Sequence, residues 1–443
     1  MNNLENSKKY RVCIDGFNLS LMKGTGIATY ARTLSHIIKC LGHPVDVLYG
    51  LNIHKDVPDI LKEVMFFESL SKTEKKTPGK EKIKQWIRYK VLSEKKENCF
   101  YINLTGRVNP RDFIERMPAY DHILNSQNIF EKAGRHFRIT GKFLPVEMVQ
   151  PPRIMHWTYP FPIEVKGAIN IYTIHDLIPL RFPHTTLDNK NYYYNLINKI
   201  SNMDVPICTV SESSKKDIIS FFPNSNGKIY NSYQSSLINN VSTDDIMRPE
   251  NEIKSLFNLD AGSYFMFYGS IEPKKNIGRI IEGFLKSKTK RKLVIVGAMS
   301  WKSDNELRLM DYGIKTGRII FIEYLPQNIL YSLLLNARCL LFPSIAEGFG
   351  LPIIESMSIG TPVLTSNEGS LPEVSGDSAI IVNAYDSSSI ASGINSIDSN
   401  DELYEKLKVS GYAQAENFSM DAYKKRICII YDKILRKWES KIN

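Results

Sequence analysis

The 443-residue chain has no run of about 18 consecutive apolar residues, so no membrane-spanning helix is expected. Its first ten residues, Met-Asn-Asn-Leu-Glu-Asn-Ser-Lys-Lys-Tyr, are polar and lack the apolar stretch of a secretion signal. Cysteine is sparse. The six residues Cys13, Cys40, Cys99, Cys208, Cys339 and Cys428 stand singly, with no Cys-x-x-Cys pair, which argues against a disulfide framework or a zinc site. A reducing cytoplasm is the expected compartment. No Asp-x-Asp triplet and no His-Glu-x-x-His occurs, so neither an acidic nor a histidine metal clamp is expected, and no cofactor. Low-complexity sequence is also missing, and 43% apolar with 23% charged residues is a globular composition.

The length exceeds one ordinary core and predicts roughly two domains of about 200 residues each. Short apolar runs alternate with stretches of helical period, the pattern that builds parallel sheets. In the first half the expected strands are Val12 to Asp15, Val45 to Leu48, Ile169 to Ile174 and Pro206 to Val210. In the second half they are Tyr264 to Tyr268, Lys292 to Val296, Ile319 to Ile322, Cys339 to Phe342 and Pro362 to Thr365, with Ala379 to Val382 a weaker candidate. The Asn-, Ser- and Asp-rich stretch Asn224 to Glu252 reads as the linker. The expected division is 1–240, 241–415 and a terminal helix over 416–443. Its apolar stripe (Tyr423, Ile427, Ile430, Tyr431, Ile434, Leu435, Trp438) should pack on protein. The fold class is thus α/β, two Rossmann-like doubly wound domains facing across a cleft. Ligands are sought at the carboxyl ends of the strands.

A formal net charge of +10 favours anionic partners. Ten Lys or Arg residues against four Glu lie between Ser71 and Glu97. That segment reads either as a solvated surface or as an anchor on an anionic membrane, where each basic residue contributes about 1 kcal/mol. Nucleic acid is the disfavoured partner; it would demand steeply salt-dependent binding.

The richest motif is Glu347-Gly-Phe-Gly-Leu-Pro-Ile-Ile-Glu355. It follows an expected strand and runs into a helix whose first turn holds Pro352. Gly348 and Gly350 let backbone N–H groups approach a ligand, and a helix N-terminus favours negative charge. Two carboxylates beside such an anion pocket suit the hydroxyls of a sugar and a ribose. Alone, Glu347 would be an exposed loop acid and Glu355 a dipole partner. The strand ending at Tyr268 leads into Gly269-Ser-Ile-Glu-Pro-Lys-Lys-Asn276, with cations at Lys274 and Lys275. Asp15 to Tyr30 carries a glycine loop at Gly24 and Gly26, and Ile174-His-Asp-Leu-Ile-Pro179 brings His175 to the cleft.

Together these segments resemble the E-x7-E signature and flanking motifs of the retaining, two-domain (GT-B, family 4-like) glycosyltransferases, the group that includes bacterial O-antigen and capsule mannosyltransferases. Gly360-Thr-Pro-Val363 through Pro372-Glu-Val374 matches the family's closing stretch. The resemblance implies that Glu347 contacts the donor sugar, that Gly348, Phe349, Gly350 and Leu351 lie beneath sugar and phosphate, and that Glu355 holds the ribose diol. It places Lys275 on the diphosphate with Lys274 beside it. Ser270 stands where another branch has Arg, so Lys274 would supply the second cation. Gly26 would reach the donor phosphate and His175 would be the active-site histidine. The implied catalytic residues are His175, Glu347 and Lys275.

The implied reaction moves a hexosyl unit with retention, without metal, first choice mannose from GDP-mannose. The implied acceptor is a glycan on a polyprenyl diphosphate at the inner face of a bacterial plasma membrane. UDP-N-acetylglucosamine, UDP-glucose, GDP-fucose and dTDP-rhamnose stay open as donors. A soluble epimerase or disaccharide-phosphate synthase stays open as the enzyme.

Overall fold

The structure, a computed structural model, describes residues 9–21, 26–71, 96–110, 113–236, 250–299 and 309–442. Gly24, the basic segment from Lys72 to Lys95, and residues 237–249 of the expected linker lie outside the described residues.

Among the described residues the first half contributes eleven strands: β1 (Val12–Asp15), β2 (Val45–Tyr49), β3 (Glu97–Asn98), β4 (Phe100–Ile102), β5 (His122–Asn125), β6 (Leu144–Glu147), β7 (Ile154–Trp157), β8 (Ile163–Val165), β9 (Ile169–Thr173), β10 (Ile207–Thr209) and β11 (Ile229–Asn231). Eight form one sheet in the order β11-β10-β9-β7-β1-β2-β5-β4. Neighbours run parallel except β4, which is antiparallel to β5 at the edge. A small sheet β3-β6-β8 lies apart. The second half holds β12 (Tyr264–Tyr268), β13 (Lys292–Val296), β14 (Ile319–Ile322), β15 (Cys339–Phe342), β16 (Val363–Ser366) and β17 (Ile380–Val382). They form a parallel sheet in the order β14-β13-β12-β15-β16-β17.

Central strands such as β1, β12 and β15 are buried along their whole length. That explains their unbroken apolar runs, because helices cover both faces of a parallel sheet. Helix Gly26–Cys40, which follows β1, buries Tyr30, Ala31, Leu34, Ile37 and Ile38, one face of the helical period. Each such large apolar side chain contributes about 1.5–3 kcal/mol when fully buried.

The expected linker begins later than its composition implies. Within Asn224 to Glu252, Ile229–Asn231 is the edge strand β11, pairing with β10 through Ile207 and Ile229. At the far end helix Glu250–Phe257 opens the second half. The terminal helix Met420–Ile442 returns to the first sheet. There the Tyr431 hydroxyl meets buried His156 Nδ1 at 2.8 Å, and Arg153 bonds Glu439 at 2.7 Å and lies 4.3 Å over the Trp438 ring. Among the described residues no helix is long and apolar enough to cross a membrane.

In both large sheets the strand order reverses beside the first strand, at β1 between β2 and β7, and at β12 between β13 and β15. Such switch points open a crevice at the carboxyl ends of the strands.

Candidate active site

The second crevice lies between the loops after β12 and β15. After β12 the chain makes a single 3-10 turn at Pro273–Lys275 and passes through Asn276 at φ 64°. The Asn276 amide donates to the carbonyls of Pro343 (2.9 Å) and Ala384 (2.7 Å), fixing this turn against the end of β15. Ile345 N–H donates to the Lys274 carbonyl at 2.8 Å. The cations and the Glu347 loop are therefore one assembled unit.

Lys275 Nζ sits 2.6 Å from Glu347 Oε1, both side chains about nine-tenths buried, and 4.8 Å from the centre of the Phe342 ring. Burial disfavours the Lys274 ammonium, but the carboxylates of Glu347, Glu272, Asp176 and Asp188 outweigh it and raise its pKa. Ser270 donates to Glu272 Oε1 at 2.8 Å and so engages its own loop.

Gly350, at φ 106°, begins helix Leu351–Ser358, with Pro352 in the first turn. This left-handed conformation is strained for a residue with a Cβ. Phe349 is buried, its ring 5.4 Å from Phe418 and 6.4 Å from Tyr233, so its backbone is what it can offer a ligand. Glu355 is almost fully buried, and hydroxyls from Tyr268 (2.5 Å), Ser236 (2.9 Å) and Tyr331 (3.3 Å) donate to its carboxylate. Desolvation raises its pKa, partly opposed by those three donors.

The first half closes over this loop. A Cβ on Gly348 would lie 2.9 Å from the His175 carbonyl oxygen and 3.0 Å from Asp176 Oδ2, so only glycine permits this approach. The Gly348 carbonyl accepts from Ser211 Oγ (2.8 Å) and Ser214 Oγ (3.2 Å). Glu373 spans the halves as well, accepting from the backbone N–H groups of Glu212 (2.8 Å) and Ser213 (3.1 Å) at the start of helix Glu212–Phe221. A carboxylate there satisfies orphan donors and the helix dipole. A Cβ on Gly26 would lie 4.0 Å from Leu351 Cδ1.

His175 is half-buried. Its Nε2 lies 2.8 Å from the Thr158 carbonyl and must carry the proton, while desolvation lowers its pKa to about 4. The ring is neutral, with Nδ1 an acceptor. Asp176 Oδ1 accepts from Ile178 N–H at 2.9 Å and supports the loop.

The structure thus gathers Gly26, His175, Lys274, Lys275, Glu347, Gly348, Gly350 and Leu351 at one seam. Glu355 lies deeper behind it, and Ser270 and the Phe349 ring turn aside. Sequence reasoning missed the partners: Ser211, Ser214 and Glu373 across the seam, and Tyr268, Tyr331 and Ser236 around Glu355. Glu373 was visible inside Pro372-Glu-Val374, and Ser211 as a helix-capping serine after a strand; nothing local told what either touches.

Two parallel doubly wound sheets meeting across such a seam are the GT-B architecture of glycosyltransferases. Solved structures share it: sucrose-phosphate synthase from Thermosynechococcus elongatus superposes with TM-score 0.64 at 13% identity, covering 97% of this chain and all of that one. Anabaena HepE, solved with UDP and glucose, gives 0.62 at 14%, covering 96% and 100%. The pattern of the family "Glycosyl transferases group 1" matches residues 249–414. The O-antigen chain mannosyltransferase B of Escherichia coli is 30% identical over 337 residues, 70% of this chain and 85% of that protein. The chain belongs to the group 1 glycosyltransferases.

Proposed function

We propose that this glycosyltransferase moves a mannosyl unit from GDP-mannose, with retention, onto a diphosphate-lipid-linked glycan in assembly of a bacterial surface polysaccharide such as O-antigen. It would work at the cytoplasmic face of the membrane. The observation that carries the reading is the Lys275–Glu347 pair at 2.6 Å, held in the crevice between β12 and β15. A lysine there would meet the diphosphate and a carboxylate the sugar hydroxyls, and the two neutralise each other while no donor is bound. Support for mannose and O-antigen comes from the 30% identity to the O-antigen chain mannosyltransferase B of Escherichia coli.

In this reading Lys274, Lys275 and the N-terminus of helix Leu351–Ser358 stabilise the charge that develops on the leaving diphosphate. Neutral His175 accepts a hydrogen bond from a sugar hydroxyl at Nδ1. For Glu355 to hold a ribose diol, the diol must replace one of its three hydroxyl donors. Turnover without metal is part of the proposal: activity lost to a chelator and restored by manganese would overturn that part.

The test is a donor-hydrolysis and transfer panel over GDP-, UDP- and dTDP-sugars, with Glu347→Ala and Lys275→Ala beside the wild type. GDP-mannose is expected to turn over fastest and both variants to fail on it. A preferred donor that both variants still use at the wild-type rate would sink the site assignment.

A further inference from the structure

The first crevice holds a cavity. The loops leaving β1 and β7 frame about 620 Å³ together with helix Ile129–Thr140, a volume in the range of small-ligand pockets. One wall is aromatic. Phe17, Phe130 and Phe161 pack with ring centroids 4.6–5.2 Å apart, a rigid cluster in edge and tilted contacts. The C–H face of a pyranose is apolar and slightly positive and matches the negative face of such rings.

The opposite wall is polar and, with two cations against one carboxylate, net positive: Glu131, Arg135 and Arg138 come from one helix, and the Arg138 guanidinium lies 5.1 Å from the centre of the Tyr192 ring. Arg138 is solvent-exposed, and among the described residues no carboxylate pairs with it. Asn18 lines the cavity with 6% of its surface exposed, and its Nδ2 is buried without a hydrogen-bond partner. A buried amide donor in that state calls for an oxygen acceptor.

The cavity adjoins the seam described above. Its wall residue Ile27 follows Gly26, which faces Leu351, and Tyr159 follows Thr158, whose carbonyl holds His175.

We propose that this cavity is the acceptor subsite and that it selects a sugar carrying an anionic group. The ring lies on the aromatic wall, a phosphate, diphosphate or carboxylate lies on Arg135 and Arg138, and a sugar oxygen meets Asn18 Nδ2. Arginine forks suit such planar or branched anions. That the bound sugar is the acceptor rests on the transferase reading; the preference for an anionic sugar does not.

The experiment titrates the full chain calorimetrically with four octyl probes: diphosphate-linked N-acetylglucosamine, the uncharged N-acetylglucosaminide, the diphosphate without sugar, and a glucuronide. Wild type, Arg138→Lys and Arg138→Glu are compared, with GDP-mannose binding measured alongside. The diphosphate-linked sugar should bind about tenfold or more tightly than either the uncharged glycoside or the bare diphosphate. Arg138→Glu should lose about that factor and Arg138→Lys less, with GDP-mannose binding unchanged in both. Arg138 is exposed, so neither variant threatens the fold. Equal binding of the glucuronide assigns the anion to an acidic sugar, and weaker binding assigns it to the lipid diphosphate; both support the proposal. It is overturned if the uncharged glycoside binds as well as the charged sugars, if none of the probes binds, or if Arg138→Glu weakens GDP-mannose and the sugar probe alike. Failure of every donor in the hydrolysis panel would instead remove the transferase reading and leave this titration interpretable.

Discussion

The two crevices arise from the same sheet topology but are finished to different degrees. On the β12 side the charged groups already have partners: Lys275 with Glu347, and Glu355 with three hydroxyls. On the β1 side polar groups are left over. Asn18 Nδ2 and Asp15 Oδ1 are buried without partners, and desolvation pushes the Asp15 carboxyl up to about 6 despite its bond from the Thr158 N–H. A buried donor or acceptor without a partner costs about 1–3 kcal/mol. The difference suggests a division of labour. If the β12 side takes the donor, as proposed, it is preorganised, as electrostatic stabilisation of a leaving group requires, while the β1 side keeps unmet hydrogen-bonding capacity for a ligand that arrives with the reaction.

The comparison breaks most sharply at Lys275. Lys275→Ala removes a cation and leaves Glu347 buried without its partner, so kcat for donor hydrolysis and for transfer should both fall by about a hundredfold or more. A change at Arg138 should spare hydrolysis and reduce transfer. Hydrolysis by Lys275→Ala within about threefold of wild type would mean that the paired crevice is not where the diphosphate lies. Next in size is Gly348→Ala. Its methyl would be pressed onto the His175 carbonyl and wedge the halves apart. A displacement near 1 Å costs up to about a hundredfold in rate; a fall of about tenfold to a hundredfold is expected, with thermal stability close to wild type. Unchanged kcat would show that the seam is not the reacting geometry.

Much of the second half was legible because each of its strands is a continuous apolar run followed by a polar turn, the period a buried parallel strand imposes. All six of its expected strands are present to within a residue or two. The first half was harder. Its sheet includes β4, β5, β7 and β11, of which His122–Asn125 and Ile154–Trp157 carry histidine, asparagine and tryptophan and break the apolar pattern. Those polar groups are tolerated because tertiary partners satisfy them, as Tyr431 and Thr173 do for His156. Asp46 in β2 does the same with His122 at 3.0 Å. The candidate site residues stand on strand-to-helix loops that glycine and charge marked in the sequence, while their roles rested on the family resemblance. Their partners were not legible, because Ser211, Glu373 and Ser236 meet them only after two separate sheets have docked.

Glu373 tests whether the β12 crevice depends on that docking. Glu373→Gln keeps the shape but gives up the charge on two bonds to the start of helix Glu212–Phe221, a loss of about 1–2 kcal/mol. If closure over the donor is what those bonds favour, KM for the donor should rise by about tenfold while kcat changes less. A fall in kcat with KM unchanged would assign Glu373 to the chemistry instead.

The smallest expected effect is a pH dependence that should be missing. Desolvation holds the His175 pKa down to about 4, so between pH 5.5 and 8 the ring stays neutral in the folded protein and only further acidification protonates it. Lys274, raised by the carboxylates around it, stays cationic across the same range. Transfer should therefore change by less than about twofold from His175 titration over that interval. His175→Gln should lower the rate at every pH without altering the shape of the profile. A limb near pH 6.5 in the wild type that vanishes in His175→Gln would show that the imidazole titrates as it would in water. In that case the seam would have to open widely enough during turnover to hydrate the ring, and the contrast between a preassembled β12 crevice and an unfinished β1 crevice would not survive.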